Sequence, residues 1–562
     1  MTLLLASILA AAPADARLVL LDGMSAELER NQKTLKLNGH EPPYFISYQL
    51  KDDAAVELVA KYGALFQDES RHDRRLYVDV RVGSYEFDNS LDESMDFNFS
   101  LKGTSYIVPK VGPIDDDPVA LRTALWLVTD ERYKAALFNY LKKKGEGVYT
   151  VEDPKRPGSF SREKAESYVQ PAQQFTFDRA RWLRVSRELS SRFNAVPQLF
   201  DSEVRIGAGK TVRWFVSTEG TRIVTEQTLY GFHVSAVTRA PDGQLLDDSR
   251  DFYAPVEGQM PGDVQLGKAV QEVIDELLAL RAAPAVDPYT GPALLESDAA
   301  GVLFHEAVGH RLEGDRQDSE TEGKTYRGQI GNAVLPSFLS ISDDPTVAEV
   351  KGHPLNGYYL FDDEGVRGQR ASLIENGVLK SFILSRHPVQ GVLHSNGHGR
   401  SQGEQKPVGR MANLIVTSTR QVDEAELKRM LIEEAKRQHK PYGLVIRDIQ
   451  GGNTNTSSFG YQAFKGVPRM VLRVDVRDGK ETVVRGVEIV GTPLSAMNKI
   501  MATGKTAGVF NGFCGAESGN VPVSTVAPPT LLREIELQRV EEGKDRPPLL
   551  PSPFSPVPKA ER

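Results

Sequence analysis

The chain predicts an α+β fold: an N-terminal α/β region with an antiparallel sheet, followed by a strand-rich C-terminal domain that carries one functional helix. Three observations predict it. Aromatic and β-branched runs broken by polar, turn-forming residues fill the first 240 positions, helix-spaced apolar stripes stand beside them, and glycine punctuates a strand-rich stretch from residue 289 onward. At 562 residues the chain exceeds what one core usually serves, so more than one domain is expected. The boundaries read as 17–260, with a subdomain break near 115–120, then 261–540, and a proline-rich tail over 541–562.

In chain order, residues 1–12 form an apolar run followed by Ala14-Asp15-Ala16, an A-x-A pattern that predicts a secretory signal over 1–16 and export to the periplasm. No positive charge precedes the run, so a buried first element in a cytoplasmic protein is the alternative. The run falls short of the about 20 apolar residues that span a bilayer, and no other segment qualifies as a stable span. A helix is expected over 17–30, then strands over 44–50, 55–64 and 75–83, with Lys51-Asp52-Asp53 and Gln67-Asp68-Glu69-Ser70 as turns. Helical patterns follow at 118–144 and 177–194. A meander is expected over 203–206, 212–217, 221–228 and 232–239, turning at Gly207-Ala208-Gly209, Glu219-Gly220 and Pro241-Asp242-Gly243. Val270, Val273, Ile274, Leu277 and Leu280 put a buried stripe on a helix over 267–282. Prolines 547, 548, 551, 553 and 556 prevent regular structure in the tail.

A net charge of -8 and a pI near 5.8 argue against a protein that coats nucleic acid, because phosphate binding needs clustered cations. The one dense cluster, Lys142-Lys143-Lys144, ends a predicted helix, where cations suit the dipole. With a single cysteine, Cys514, no intramolecular disulfide can form.

The chemistry concentrates in Phe304-His305-Glu306-Ala307-Val308-Gly309-His310, an H-E-x-x-x-H pattern preceded by Ser297-Asp298, which predicts an N-cap for a helix beginning near Ala299. In H-E-x-x-H zinc sites, two imidazoles four residues apart share a helix face and the glutamate activates water. Here the spacing is five, which puts His310 roughly 140° around a regular helix from His305. Both can reach one ion only if the helix bulges or ends, and Gly309 is where that deviation is expected. The competing reading is a pair of structural histidines.

Tyr289 to Leu295 (Tyr-Thr-Gly-Pro-Ala-Leu-Leu) and Gly301 to Asp315 closely resemble the core motif of the TldD/PmbA metallopeptidase family, and Asp362-Asp363-Glu364-Gly365, residues 373–379, Gly409-Arg410-Met411-Ala412-Asn413 and Val521-Pro522-Val523 resemble its later landmarks in order. The resemblance covers about 289 to 530. It implies a third ligand from a G-x-C-G segment, here Gly512-Phe513-Cys514-Gly515, so that His305, His310 and Cys514 hold Zn2+ with one position open to water, and Glu306 acts as general base. It further implies a zinc-dependent peptidase acting on unfolded or extended peptides, as a homodimer or paired with a motif-less paralogue. The rival classes are a non-catalytic assembly subunit and a zinc hydrolase of a non-peptide amide. Residues 516–520, Ala-Glu-Ser-Gly-Asn, depart from the family, which has a lysine, an acid and a Gly-Gln pair there. Arg410, Asn413 and His398 are candidates for binding substrate backbone or an oxyanion, or are surface loop residues.

Overall fold

Tyr62 and Gly63, at φ of 52° and 85°, turn the chain between two strands of 19 residues each, β1 (Pro43–Lys61) and β2 (Ala64–Val82). Two consecutive positive-φ residues make the tight turn whose twist suits a hairpin. The structure is a computed structural model that describes residues 15–90, 108–146, 157–319, 323–454, 464–491, 493–540 and 550–555. Nearly all of the candidate signal and most of the proline-rich tail lie outside the described residues. No described helix is long and apolar enough to cross a membrane.

The turns expected at 51–53 and 67–70 are corrected, because both segments lie inside these long strands. Their charges have partners distant in sequence. Lys51 is buried against Asp363 at 3.2 Å, Asp52 accepts from Arg74 at 2.7 Å, and Asp53 accepts from the Thr211 hydroxyl. The same holds in the meander. Gly207-Ala208-Gly209 runs straight through β4 (Phe200–Ser217), while Gly220 and Gly243, at φ of 100° and 96°, do turn the chain into β5 (Arg222–Arg239) and β6 (Leu245–Ala254). The sheet order is β2-β1-β4-β5, with β6 and the short parallel β3 (Ser167–Val169) both pairing β5.

Side-chain alternation divides the labour of this sheet. Even-numbered residues meet helices. At one end Tyr48, Leu50, Val78, Trp214 and Val216 pack against α1 (Ala16–Thr34) and α2 (Pro118–Glu146); at the other Leu58, Val204, Ile206, Phe232 and Val234 pack against α3 (Arg179–Ser191) and α4 (Asp263–Ala282). The core under α3 and α4 continues into Leu431, Val445, Leu472 and Leu531 of the C-terminal part, so it crosses the expected boundary at 260/261. Odd-numbered residues meet the C-terminal part directly: Phe215 and Ile223 pack on Phe361, and Gln49, Lys51 and Arg213 converge on Asp363. Burial raises the Asp363 carboxyl, but Lys51 and Arg213 outweigh it and hold the group down at about 2.

In the C-terminal part the pairings run in a closed circuit: β7 (Tyr289–Leu295), Tyr442–Thr454, Phe464–Asp475, Val487–Gly491, Thr530–Arg539, and back to β7. A second sheet runs Val378–Leu379, Ala371–Glu375, Leu339–Asp343, Asn413–Ser418, Gly519–Ala527, Gly508–Ala516, with the last at its edge. Helix α5 (Ser297–Ala307) lies between the two, buried from Ala299 to Ala307. A helix apolar on nearly all sides belongs in such a core.

Candidate metal centre

Helix α5 starts two residues earlier than expected, with Ser297 and Asp298 inside its first turn and Glu296 as the flanking residue without a side-chain cap. The entry is fixed by the backbone instead: Glu296 N–H donates to Ile446 C=O at 2.9 Å, which joins the helix start to the closed sheet. Asp298 suits the positive end of the helix dipole. At the other end the helix stops at Ala307. Val308, at φ -119° and ψ -46°, leaves the helical path, and Gly309–Leu312 form a single 3-10 turn carrying His310. Arg311 donates from Nη1 to the Glu306 and Ala307 carbonyls, both at 3.1 Å, and satisfies groups that a helix end leaves open.

The break that the five-residue spacing demands is therefore a helix terminus. Gly309 is required for room rather than for a positive φ, since a Cβ there would lie 2.2 Å from the Met411 thioether sulfur. Gly301 serves the same end on the helix body. Its missing side chain brings α5 against Phe510, where a Cβ would sit 3.2 Å from that of Phe510, on the strand that carries Cys514.

Three donor atoms meet as a result. His305 Nε2 lies 3.3 Å from Cys514 Sγ, His310 Nε2 lies 3.5 Å from the same sulfur, and all three ligand atoms fall within 4.8 Å of one another. The imidazole planes cross at 87°. A tetrahedral zinc with bonds of about 2.0 Å to nitrogen and 2.3 Å to sulfur sets neighbouring N and S ligands roughly 3.5 Å apart. The donor set and its spacing fit that ion. Among the described residues this is the one His/Cys/Asp/Glu cluster of ligand geometry. Burial pushes the Cys514 thiol up, but His310 and His305 outweigh it and hold the group well below an ordinary thiol, which favours the thiolate that binds metal.

Glu306 is buried one residue from His305, and its carboxylate makes no hydrogen bond or ion pair among the described residues. His310 is held from behind: its Nδ1 donates to Glu313 Oε2 at 2.9 Å. Burial raises the Glu313 carboxyl, but His310, Arg316 and Arg410 carry it far below the usual range. Arg316 bonds Glu313 at 2.8 Å and Glu517 at 2.8 Å. Residues 516–520, where the chain departs from the family pattern, thus close this charge network.

His398 and Asn413 are corrected as substrate contacts and as surface loop residues alike. Both are fully buried. His398 bonds Asp343 at 3.1 Å, and Asn413 donates to the Asp344 and Val347 carbonyls, each at 3.0 Å, so they pin loops. Arg410 is also fully buried and donates to the Cys514 carbonyl at 2.7 Å. Glu313 and Arg316 were not among the expected site residues; their signal is the carboxylate three positions after a ligand histidine.

Residues 288–539 match the profile of the PmbA/TldA metallopeptidase C-terminal domain. Over that stretch the chain is similar to the TldD/PmbA metallopeptidases. An Archaeoglobus fulgidus metalloprotease is 32% identical over 47% of this chain and 56% of its own length. A Saccharolobus solfataricus protein named as a zinc metalloprotease TldD homolog is 28% identical over 44% of this chain and 51% of its own. The chain thus spans little more than half the length of these curated relatives. The fold of TldE from Thermococcus kodakarensis superposes with a TM-score of 0.58 at 14% identity, covering 92% of this chain and 100% of that one. The likeness in fold to that protein therefore extends past the matched domain into the N-terminal sheet.

Proposed function

We propose that the chain is a zinc-dependent peptidase that hydrolyses peptide bonds in unfolded or extended peptides. The observation that carries this reading is the convergence of His305 Nε2, His310 Nε2 and Cys514 Sγ within 4.8 Å at the end of the helix that also bears Glu306. Those three side chains would hold a zinc ion, which when bound would supply Lewis acidity toward the scissile carbonyl and lower the pKa of water.

The chain's own residues do the rest. Glu306 takes the proton from the attacking water and delivers it to the leaving amine, a task that suits a buried carboxylate with no hydrogen-bond or ion-pair partner among the described residues. The buried surroundings exclude bulk water and strengthen each charge interaction. Metalloprotease names among the relatives support the reaction class. The extended-peptide substrate, and assembly as a homodimer or with a motif-less paralogue, are part of the same reading.

Purified protein is expected to contain about one zinc per chain, a three-ligand site keeping its metal through purification. Unfolded casein should be digested, digestion should stop on chelation, and zinc should restore it. Digestion indifferent to chelator by metal-free protein would overturn the proposal.

A further inference from the structure

We infer that Glu313 is the positioning carboxylate of this centre: it fixes the His310 ring and, through Arg410, ties that ring to the strand carrying Cys514. The inference rests on the metal-centre reading above and deepens it. An ionised carboxylate only accepts hydrogen bonds, so at 2.9 Å it keeps a proton on Nδ1, the one that an imidazole bound to metal through Nε2 retains. Nε2, the atom that lies 3.5 Å from Cys514 Sγ, is then the one that would offer its lone pair to a metal. Partners behind ligand imidazoles act in this way, setting tautomer and orientation together.

The arrangement is unequal between the two histidines. His305 Nδ1 is buried and has no hydrogen-bond partner among the described residues. Its ring is carried on the body of α5, which makes His310, on its short 3-10 turn, the ligand that needs an external hold. Glu313 is itself immobilised. Its carboxylate is fully buried, bonded by Arg316 at 2.8 Å and faced by Arg410 Nε at 3.5 Å.

Arg410 makes the hold reach further. Its guanidinium donates to the Cys514 carbonyl at 2.7 Å, to Ser518 Oγ at 2.9 Å and to the Gly519 carbonyl at 3.1 Å. The planar, rigid fork spans the turn of the hairpin and presents its remaining nitrogen to Glu313. Arg316 closes the loop by bonding Glu517 on the same turn. Two ligands 204 residues apart in sequence therefore share one buried carboxylate.

The test titrates full-length protein with Co2+ against a competing chelator, read by the thiolate-to-cobalt charge-transfer band and the visible bands that report geometry. Glu313→Gln is expected to weaken Co2+ binding about 10- to 100-fold and to alter the visible bands, the usual result of removing such a partner. Glu313→Asp should recover part of the loss. Wild-type affinity and spectrum in Glu313→Gln would overturn the inference while leaving the metal centre in place. A wild-type chain that takes up no Co2+ would overturn both. Should Glu313→Gln fail to fold by circular dichroism, Arg316→Gln, which removes one of the bonds on the same carboxylate, decides: weaker Co2+ binding supports the inference and unchanged binding overturns it.

Discussion

Cys514→Ala is expected to purify without stoichiometric zinc and to digest casein no faster than chelated wild-type protein. The thiolate is the one anionic ligand of the three, and two imidazoles from a single helix end cannot hold the ion without it. The loss should be specific to the metal. Apart from the two imidazoles, Cys514 belongs to a small apolar cluster with Val521 and Val523, and replacing a buried thiol by a methyl group removes one heavy atom, a change of roughly 1 kcal/mol in stability. Thermal unfolding of the metal-stripped wild type and of the variant should therefore nearly coincide. Metal content and activity equal to wild type in Cys514→Ala would remove this residue from the centre.

Glu306→Gln separates chemistry from binding. The amide has the shape of the carboxylate and fits the same buried position, so zinc content should stay at the wild-type level. What it cannot do is accept the proton of the attacking water. The expected result is a loss of about 10² to 10⁴ in kcat, the usual worth of a general base. Full turnover in the metal-loaded variant would exclude Glu306 from proton transfer. Loss of zinc along with turnover would make it a structural residue.

Much of this was legible from residue patterns, and the misses have physical causes. The stripe at Val270, Val273, Ile274, Leu277 and Leu280 predicted α4 because a 3.6-residue period is local information, and all five side chains are buried. The long strands were not legible. Lys51, Asp52 and Asp53 read as a turn, since nothing nearby in sequence reveals that Arg74 and Thr211 on the flanking strands, and Asp363 in the C-terminal part, satisfy them.

The site divides in the same way. Five-residue spacing between His305 and His310 requires the helix to bulge or to end, and it ends at Ala307, just ahead of the glycine where the deviation is expected. Which backbone adjustment occurs depends on Met411 and Arg311 packing around that turn, which spacing does not encode. His398 and Asn413 were misread because polar residues in a glycine-rich stretch usually face solvent, whereas here they satisfy buried backbone groups. Cys514, 209 residues from His305, entered through family resemblance, and the geometry then brought its sulfur to the imidazoles.

The most direct measurement is an anomalous-difference map at the zinc edge from crystals of the full-length protein grown with Zn2+. A single strong peak is predicted about 2.3 Å from Cys514 Sγ and about 2.0 Å from Nε2 of both His305 and His310. A zinc peak bound elsewhere, with those three atoms left uncoordinated, would contradict the account.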